Sequence, residues 1–294
     1  MKCPICNLET NVKIQNARSY YSENNFQIRK CQNCELSYTD TTGKELEINN
    51  IYKNIYDYSV HDCTKNEKLW RIKNTFSKIS KKLNLDSNSF VLDIGCMQGF
   101  FLDYLKKKYF CKVLGIETED YYLKQNDQLN IIKSDLIEFS QNENNFNKFD
   151  LIIMSHAFEH FSDPIKVLDC IKKILKKNGK CLIIVPNIDS NLSKLTKSSW
   201  GWLQPAAHFF HFTKKSLSKI FNKSELSHYL VSENGGDSLL LALTVINTLR
   251  FNHKTLGNNK KSYLRNIFIS IFSMVFKYTY YFGNDEIVYL IEKK

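Results

Sequence analysis

The sequence of 294 residues predicts an α/β fold, a doubly wound and mostly parallel seven-stranded sheet with a small metal-binding ribbon at the N-terminus. Three observations support this prediction. Short apolar runs alternate with amphipathic helical stretches between residues 69 and 187, which is typical of parallel strands with helices on both faces. A glycine-containing turn follows the first of these apolar runs. Two Cys-x-x-Cys pairs precede all of them.

The two cysteine pairs are Cys3 with Cys6 and Cys31 with Cys34. Thiolates three residues apart bind an ion from one turn, and two such turns complete a closed tetrahedral Zn²⁺ site. Four thiolates leave no position for water, so we expect this zinc to be structural. A redox pair or an iron–sulfur site is the alternative for the same residues. The segment is short, so metal would supply most of its stability.

The next elements are a helix and a strand–turn–helix unit. Apolar residues at helical spacing predict a helix over 69–84. An apolar run at 90–92 then ends in Asp93, and Gly95 and Gly99 precede a second helical stretch. Glycine suits such a turn because it adopts positive φ and allows a ligand to approach the backbone. The following helix N-terminus offers unpaired N–H groups to polar ligand atoms.

Further apolar runs predict strands at 112–116, 131–133, 149–154 and 181–185. The run at 149–154 is fully apolar, as a parallel strand covered on both faces requires. A helix over 165–175 follows it, with the Lys-Lys-Asn-Gly stretch at 176–179 as its C-terminal stop.

The last third predicts two more strands, at 227–233 and 286–291, which bring the sheet to seven. Helical stretches at 238–249 and 263–276 lie between them, and we interpret residues 236–283 as an insertion on the acceptor side. The second stretch has Lys260, Lys261 and Arg265 beside its apolar run. Burial against the rest of the chain and contact with a membrane or partner are both open for it.

Four polar side chains fall where predicted strands end: Asp93, Glu117, Asp135 and His156. Parallel strands place their carboxyl ends at one edge of a sheet, and ligands bind there. Glu117 could accept hydrogen bonds from both hydroxyls of a ribose, as in dinucleotide-binding folds. The NAD-binding pattern Gly-x-Gly-x-x-Gly is not met, because the turn offers only Gly95 and Gly99.

The run at 90–102, Phe-Val-Leu-Asp-Ile-Gly-Cys-Met-Gln-Gly-Phe-Phe-Leu, resembles the first motif of class I S-adenosylmethionine-dependent methyltransferases. Met97 stands where that family usually has its middle glycine. The cysteine ribbon and the string at 155–164 resemble a bacterial subgroup that modifies sugars and polysaccharides. The resemblance extends from Cys3 to about Thr213. It implies a Rossmann-like domain at 63–294, preceded by a zinc-ribbon head and linker at 1–62.

The resemblance implies S-adenosyl-L-methionine as cofactor, with Glu117 on the ribose and Asp135 near the adenine amino group. For these two residues, an exposed loop acid and a turn-forming Asp are the alternatives. The cofactor-binding residues that it implies are Asp93, Gly95, Cys96, Gly99, Phe100, Glu117, Asp135, Leu136, Ser155 and His156.

The string His156-Ala157-Phe158-Glu159-His160 also matches a zinc-peptidase pattern. That chemistry needs both histidines on one face of a continuous helix. Here the string begins at a strand end, and Pro164 is expected to open a new helix, so we do not favour a peptidase. The methyltransferase resemblance instead places His156 near the methionine end of the cofactor, facing the acceptor.

An aromatic stretch at 200–213 ends in Thr213, a predicted helix N-cap. The family has a similar stretch over its acceptor pocket, and aromatic walls suit a sugar ring. His208 and His211 are candidate general bases together with His156. Each histidine is alternatively a structural residue with satisfied hydrogen bonds.

The formal net charge is +11, of which +8 falls between residues 191 and 294. Such a balance suits an anionic partner, although a solvated lysine-rich surface is the plainer explanation. Nine cysteines without an apolar leader favour a cytoplasmic protein with reduced thiols or metal. The longest apolar run, at 267–276, is too short to cross a bilayer.

The leading hypothesis is a methyltransferase that acts on a sugar or nucleotide-sugar at oxygen. The alternative is an RNA methyltransferase, for a ribosomal or transfer RNA, with the ribbon as RNA-binding head. Against it, no stripe of basic and aromatic residues stands out in the ribbon. The string at 155–164 also lacks the Asn/Asp-Pro-Pro-Tyr/Phe signature of amino-directed enzymes. A non-catalytic binding module is the third hypothesis, and the oligomeric state is not predicted.

Overall fold

The computed structural model describes residues 2–9, 11–18, 25–44, 65–123, 128–205, 207–249, 258–274, 280 and 283–293. The strands are β1 (Asn11–Arg18), β2 (Asn25–Cys31), β3 (Ser37–Asp40), β4 (Phe90–Ile94), β5 (Lys112–Glu117), β6 (Ile131–Lys133), β7 (Phe149–Ser155), β8 (Leu175–Pro186), β9 (Phe210–His211), β10 (Ser227–Asn234) and β11 (Glu286–Glu292). The helices are α1 (Lys65–Leu83), α2 (Phe100–Tyr109), α3 (Asp120–Leu123), α4 (Leu136–Phe139), α5 (Pro164–Ile174), α6 (Asn191–Thr196), α7 (Lys214–Lys223), α8 (Ser238–Thr248) and α9 (Asn258–Ser273).

The central sheet has seven strands in the order β10-β11-β8-β7-β4-β5-β6. Strands β8, β7, β4, β5 and β6 are parallel, and β11 and β10 extend one edge in antiparallel pairing. Helices α1 and α2 cover one face, where Phe76 and Leu105 are buried, and α5 and α7 cover the other. The predicted doubly wound, mostly parallel sheet is therefore confirmed.

The structure corrects one predicted element beside this sheet. Residues 176–179 were expected to end a helix, but α5 already ends at Ile174 and Leu175 takes an extended conformation. Strand β8 begins at Leu175, which pairs with Phe149 before an irregularity in the register. Asn178 has positive φ and donates its N–H to Lys293 O, while Lys293 N–H donates to Gly179 O. The apparent helix stop is thus a strand irregularity held by the end of the chain.

The turn between β4 and α2 has a left-handed backbone at three alternate positions. The φ angles are 69° at Gly95, 48° at Met97 and 73° at Gly99. A Cβ on Gly99 would lie 2.6 Å from Leu129 Cδ1, so a side chain at this position would have to displace that methyl group. Met97 adopts this conformation although it has a side chain, which costs roughly 1–2 kcal/mol in this region.

A second, antiparallel sheet has the strand order β1-β2-β3-β9. The two cysteine turns beside it have the same backbone geometry. Asn7 N–H donates to Cys3 O and Glu35 N–H donates to Cys31 O, each at 2.9 Å, and both donors have positive φ. This geometry turns the thiol groups of both pairs toward one another. The boundary predicted at residues 62–63 lies outside the described residues.

The fourth strand of the small sheet comes from the other part of the chain. Ser37 pairs with His211 and Tyr38 pairs with Phe210. The next residue, Phe212, bridges to Asn187 directly after β8 and accepts a hydrogen bond from Ile188 N–H at 3.0 Å. One short stretch of backbone therefore joins the two sheets.

Helices α8 and α9 lie against each other in the predicted insertion, where Ala242 and Ile269 are buried. Arg265 is buried as well, so it does not lie on a surface. The exposed apolar side chains of α9 and the residue after it are Tyr263, Ile267, Ile271 and Met274. In the described part of the chain, none of the helices combines the length and hydrophobicity needed to span a bilayer.

A glycine at position 97 should give a more stable protein than an alanine there, because glycine adopts positive φ without the strain of a Cβ atom. We expect Met97→Gly to raise the free energy of unfolding by about 1 kcal/mol relative to Met97→Ala. These two variants differ only in the methyl group at the strained position. Urea denaturation measures the difference, and equal midpoints would show that Met97 is not strained.

Candidate active site

Polar and glycine residues predicted to bind cofactor lie along one edge of the central sheet. Asp93 pairs with Gly115 in β5 and with Ile153 in β7, and Ser155 pairs with Ile184 in β8. These registers place the carboxyl ends of β4, β5 and β7 side by side. The chain crosses over between β4 and β7, and ligands bind at such a point in open α/β sheets.

Glu117 closes the glycine turn from the neighbouring strand. Its Oε2 accepts a hydrogen bond from Met97 N–H at 2.9 Å. Its Oε1 accepts from Thr118 N–H at 2.8 Å and from Glu119 N–H at 3.2 Å. Glu117 is buried, and these three bonds hold its carboxylate against the turn.

Asp93 is buried beside this carboxylate. Burial, and then the charge of Glu117, raise the pKa of Asp93 well above its usual value. A cationic or hydrogen-bond-donating ligand at this edge would stabilise both carboxylates.

The remaining residues implied for the cofactor have mixed surroundings. Cys96 packs against Gly115, whose added Cβ would lie 2.5 Å from the Cys96 Sγ, and Leu136 belongs to the hydrophobic core. Phe100 lies at the first position of α2. Asp135 caps α4, with Oδ1 accepting from Glu138 N–H at 3.0 Å. Their roles toward a cofactor stay predictions.

His156 has a left-handed backbone, with φ 52°, and its N–H donates to Ile184 O at 2.8 Å. Its side chain is 31% exposed, with Nε2 2.7 Å from Glu286 Oε1. The Trp202 ring meets the imidazole edge-on at 4.8 Å between centroids. The other ring nitrogen, Nδ1, lies 3.6 Å from Glu159 Oε1. A partly exposed imidazole held between two carboxylates is suited to moving a proton.

Two residues that support His156 were not predicted from the sequence. Glu286 also pairs with Arg71 of α1, and Arg71 Nη1 lies 3.0 Å from Asp237 Oδ2 at the start of α8. The only sequence signal was an acidic residue opening an otherwise apolar strand. Arg71 gave none, since it stands among the apolar positions of an amphipathic helix.

His160 and His208 lie next to Glu159, the residue whose Oε1 is also 3.6 Å from His156 Nδ1. The His160 and His208 rings are perpendicular, with 4.7 Å between centroids. His208 Nε2 lies 4.0 Å from Glu159 Oε1, and His208 Nδ1 lies 2.8 Å from Trp202 O. Burial lowers the pKa of His208 well below its usual value, and the neighbouring histidines lower it further. Burial also lowers the pKa of His160, although Glu159 opposes this shift.

His211 is turned toward the small sheet. The Thr39 hydroxyl donates to His208 O at 2.8 Å, so His211 Nε2, 3.0 Å from the same Oγ1, must carry the proton of the second bond. Burial lowers the pKa of His211 to about 3. These contacts describe an imidazole that positions the loop, whereas His156 is accessible.

The four cysteines of the small sheet form a separate candidate metal site. Their Sγ atoms all lie within 4.8 Å of one another, and Cys3 Sγ is 3.5 Å from Cys34 Sγ. Four converging sulfur donors fit a closed tetrahedral ion such as Zn²⁺.

Comparison with known proteins identifies the family to which the chain belongs. The profile of the family described as "Methyltransferase domain" matches residues 67–229, more than half of the chain. A relative named tRNA U34 carboxymethyltransferase, from Campylobacter fetus, is 26% identical over 170 residues. That alignment covers 52% of this chain and 59% of the relative, so the chain spans well under two thirds of the relative's length.

Solved structures show the same fold. A SAM-dependent methyltransferase from Archaeoglobus fulgidus has a TM-score of 0.50 at 17% identity, over 81% of this chain and 100% of that one. The plantazolicin methyltransferase in complex with SAH has a TM-score of 0.50 at 14% identity, over 86% of this chain and 92% of that one. With a matching family profile and this sheet topology, the chain belongs to the methyltransferase family and has the fold of its SAM-dependent members.

Proposed function

We propose that this protein transfers a methyl group from S-adenosyl-L-methionine to an RNA acceptor, with transfer RNA as the first candidate. Membership in the methyltransferase family supports the reaction, and the relative named for transfer RNA carries the choice of acceptor. The sugar acceptor expected from the sequence resemblance has no comparable support. The net charge of +11 is consistent with a polyanionic partner.

The cofactor would lie at the carboxyl edge of the sheet. S-adenosyl-L-methionine supplies an activated methyl group, so the chain's own task is to bind and align the reactants. Glu117 would accept hydrogen bonds from ribose hydroxyls, and Asp93 would lie near the cationic end. Gly95 and Gly99 would allow close approach to the backbone.

His156 is our candidate for the base that removes a proton from a hydroxyl acceptor. It is the histidine of this group with a substantially exposed ring, and Glu286 holds its Nε2. This contact with the carboxylate orients the imidazole. His208 and His211 are then positioning residues of the same loop.

The zinc-ribbon head, which together with its linker is predicted at residues 1–62, would take part in RNA binding. Ala17 of β1 packs with Trp200 and Trp202, and Trp202 contacts His156, so this strand lies close to the acceptor side. β1 also contacts the short turn Lys197–Ser199. Lys13 and Lys197 are exposed on these two segments and could contact phosphates.

Glu117→Gln should weaken cofactor binding, because an amide keeps the shape of the side chain but loses its charge. We expect the Kd for S-adenosyl-L-methionine to rise about tenfold to a hundredfold in calorimetric titration. Glu119→Gln makes the same chemical change two residues away and should leave the Kd unchanged. Equal affinities in both variants would remove Glu117 from the cofactor site.

His156→Ala should lower kcat by about a hundredfold or more while the Kd for the cofactor stays constant. The assay follows transfer of a labelled methyl group to bulk bacterial transfer RNA. His228→Ala is the control, since His228 lies on β10 at the opposite edge of the sheet. Unchanged turnover in His156→Ala would exclude this residue as the base.

RNA binding should depend steeply on salt, because phosphate contacts release counterions. In fluorescence anisotropy with bulk bacterial transfer RNA, Lys13→Gln and Lys197→Gln should each reduce the salt slope by about one. Lys177→Gln removes the same charge from the far end of β8 and should have no effect. Absence of salt-dependent binding, together with methyl transfer to nucleotide-sugars, would replace RNA by a sugar acceptor.

A further inference from the structure

The carboxylate of Glu159, next to His156, is buried and receives no hydrogen bond from the described residues. Glu159 has no exposed surface, and within the described residues neither of its oxygens accepts a hydrogen bond. Its nearest polar neighbours are His156 Nδ1 at 3.6 Å and His208 Nε2 at 4.0 Å. An uncompensated buried carboxylate is strongly destabilising. Glu159 therefore lacks a partner of the kind that buried carboxylates usually have in native proteins.

His208 presents a lone pair to that carboxylate. Its Nδ1 lies 2.8 Å from the carbonyl oxygen of Trp202, which can only accept, so Nδ1 carries the proton. In the neutral ring, Nε2 is then an acceptor, and it faces Glu159 Oε1. Two electron-rich atoms thus face each other across 4.0 Å.

His160 completes the group. Its ring hydrogen-bonds to the backbone carbonyl of Ala207. One ligand atom each from Glu159, His160 and His208 lie within 4.8 Å of one another. An imidazole that binds a metal usually donates its second N–H to a carbonyl or carboxylate, and both histidines here have such a bond.

The backbone holds the three side chains together. Glu159 and His160 belong to the short helical turn Phe158–His160, whereas His208 lies in the aromatic stretch at 200–213. Phe209 N–H donates to Glu159 O at 3.0 Å and joins the two segments beside the cluster. This main-chain bond holds the two segments that carry the three side chains next to each other.

We propose that Glu159, His160 and His208 bind a divalent transition-metal ion of the Zn²⁺ class. Two imidazoles and one carboxylate suit Zn²⁺, Fe²⁺, Co²⁺ or Ni²⁺ better than Mg²⁺ or Ca²⁺, which prefer oxygen ligands. Three protein ligands leave a position for water or for an oxygen of the acceptor. This ion would be distinct from the one held by four cysteines.

The ligand set also differs from the peptidase pattern in the same string. In that pattern, His156 and His160 would be ligands on one helix. Here His156 Nε2 lies 2.7 Å from Glu286 Oε1. Residues Phe158–His160 form one short helical turn and not a continuous helix. The third ligand comes instead from residue 208, which no local motif predicts.

The experiment measures metal stoichiometry in the full chain by mass spectrometry after loading with Zn²⁺ and then with Co²⁺. The wild type should retain two ions per chain, one for each candidate cluster. Cobalt bound to the cysteines gives thiolate charge-transfer absorption, and the second cobalt should add only ligand-field bands. Glu159→Gln should retain one ion with the thiolate absorption intact, and His160→Asn should behave alike. Glu138→Gln, an exposed carboxylate on α4, should retain two.

A wild type that retains one ion at saturating Zn²⁺ would overturn the proposal. Two ions in Glu159→Gln would place the second ion elsewhere. Where Glu159→Gln fails to fold, His160→Asn tests the same site, and the cysteine-bound cobalt reports that the head is intact. Neither measurement requires an acceptor, so the outcome is independent of the proposed RNA substrate.

Discussion

The backbone between Phe209 and Phe212 is the constraint on which the rest of the acceptor side depends. Phe209 O accepts from Thr39 N–H, Phe210 and His211 pair with β3, and Phe212 bridges to Asn187 after β8. The small sheet is therefore attached to the carboxyl edge of the central sheet by main-chain hydrogen bonds. His208 and Trp202 are positioned relative to His156 because this stretch is held at both ends. The small sheet and the stretch at 209–212 are therefore one connected structural unit.

A chain of buried charges provides the second constraint on this edge. Asp237, Arg71 and Glu286 link the start of α8, the first helix and the last strand, and they end at His156. Buried ion pairs add little net stability, because desolvation offsets their attraction. Their geometry is nonetheless specific, since removing one partner leaves a buried charge unpaired. In the proposed function this network orients His156, while the sheet itself supplies the cofactor edge.

Local patterns predicted the central sheet well because each strand is a separate apolar run between turn signals. The run at Phe149–Ser155 and the glycine turn after Phe90–Ile94 need no distant partner to be recognised. The Lys-Lys-Asn-Gly stretch misled the same reasoning, because its strand conformation depends on Lys293 at the other end of the chain. The pairing of Glu286 with His156 and the convergence of Glu159 with His208 are also long-range. Such contacts follow from topology, which periodicity does not encode.

The pairing between β3 and β9 also has a consequence for biosynthesis. The side chains of Thr39 and His211 meet across 172 residues of sequence, whereas all four cysteines of the head fall within its first two turns and strands. During translation, all four cysteines are made long before the fourth strand of the small sheet. Until then β3 is an open sheet edge, which is a site for pairing with other chains. The segment that holds His208 and His211 beside the central sheet is therefore added late, and a nascent chain stalled before residue 210 would expose the unpaired backbone of β3.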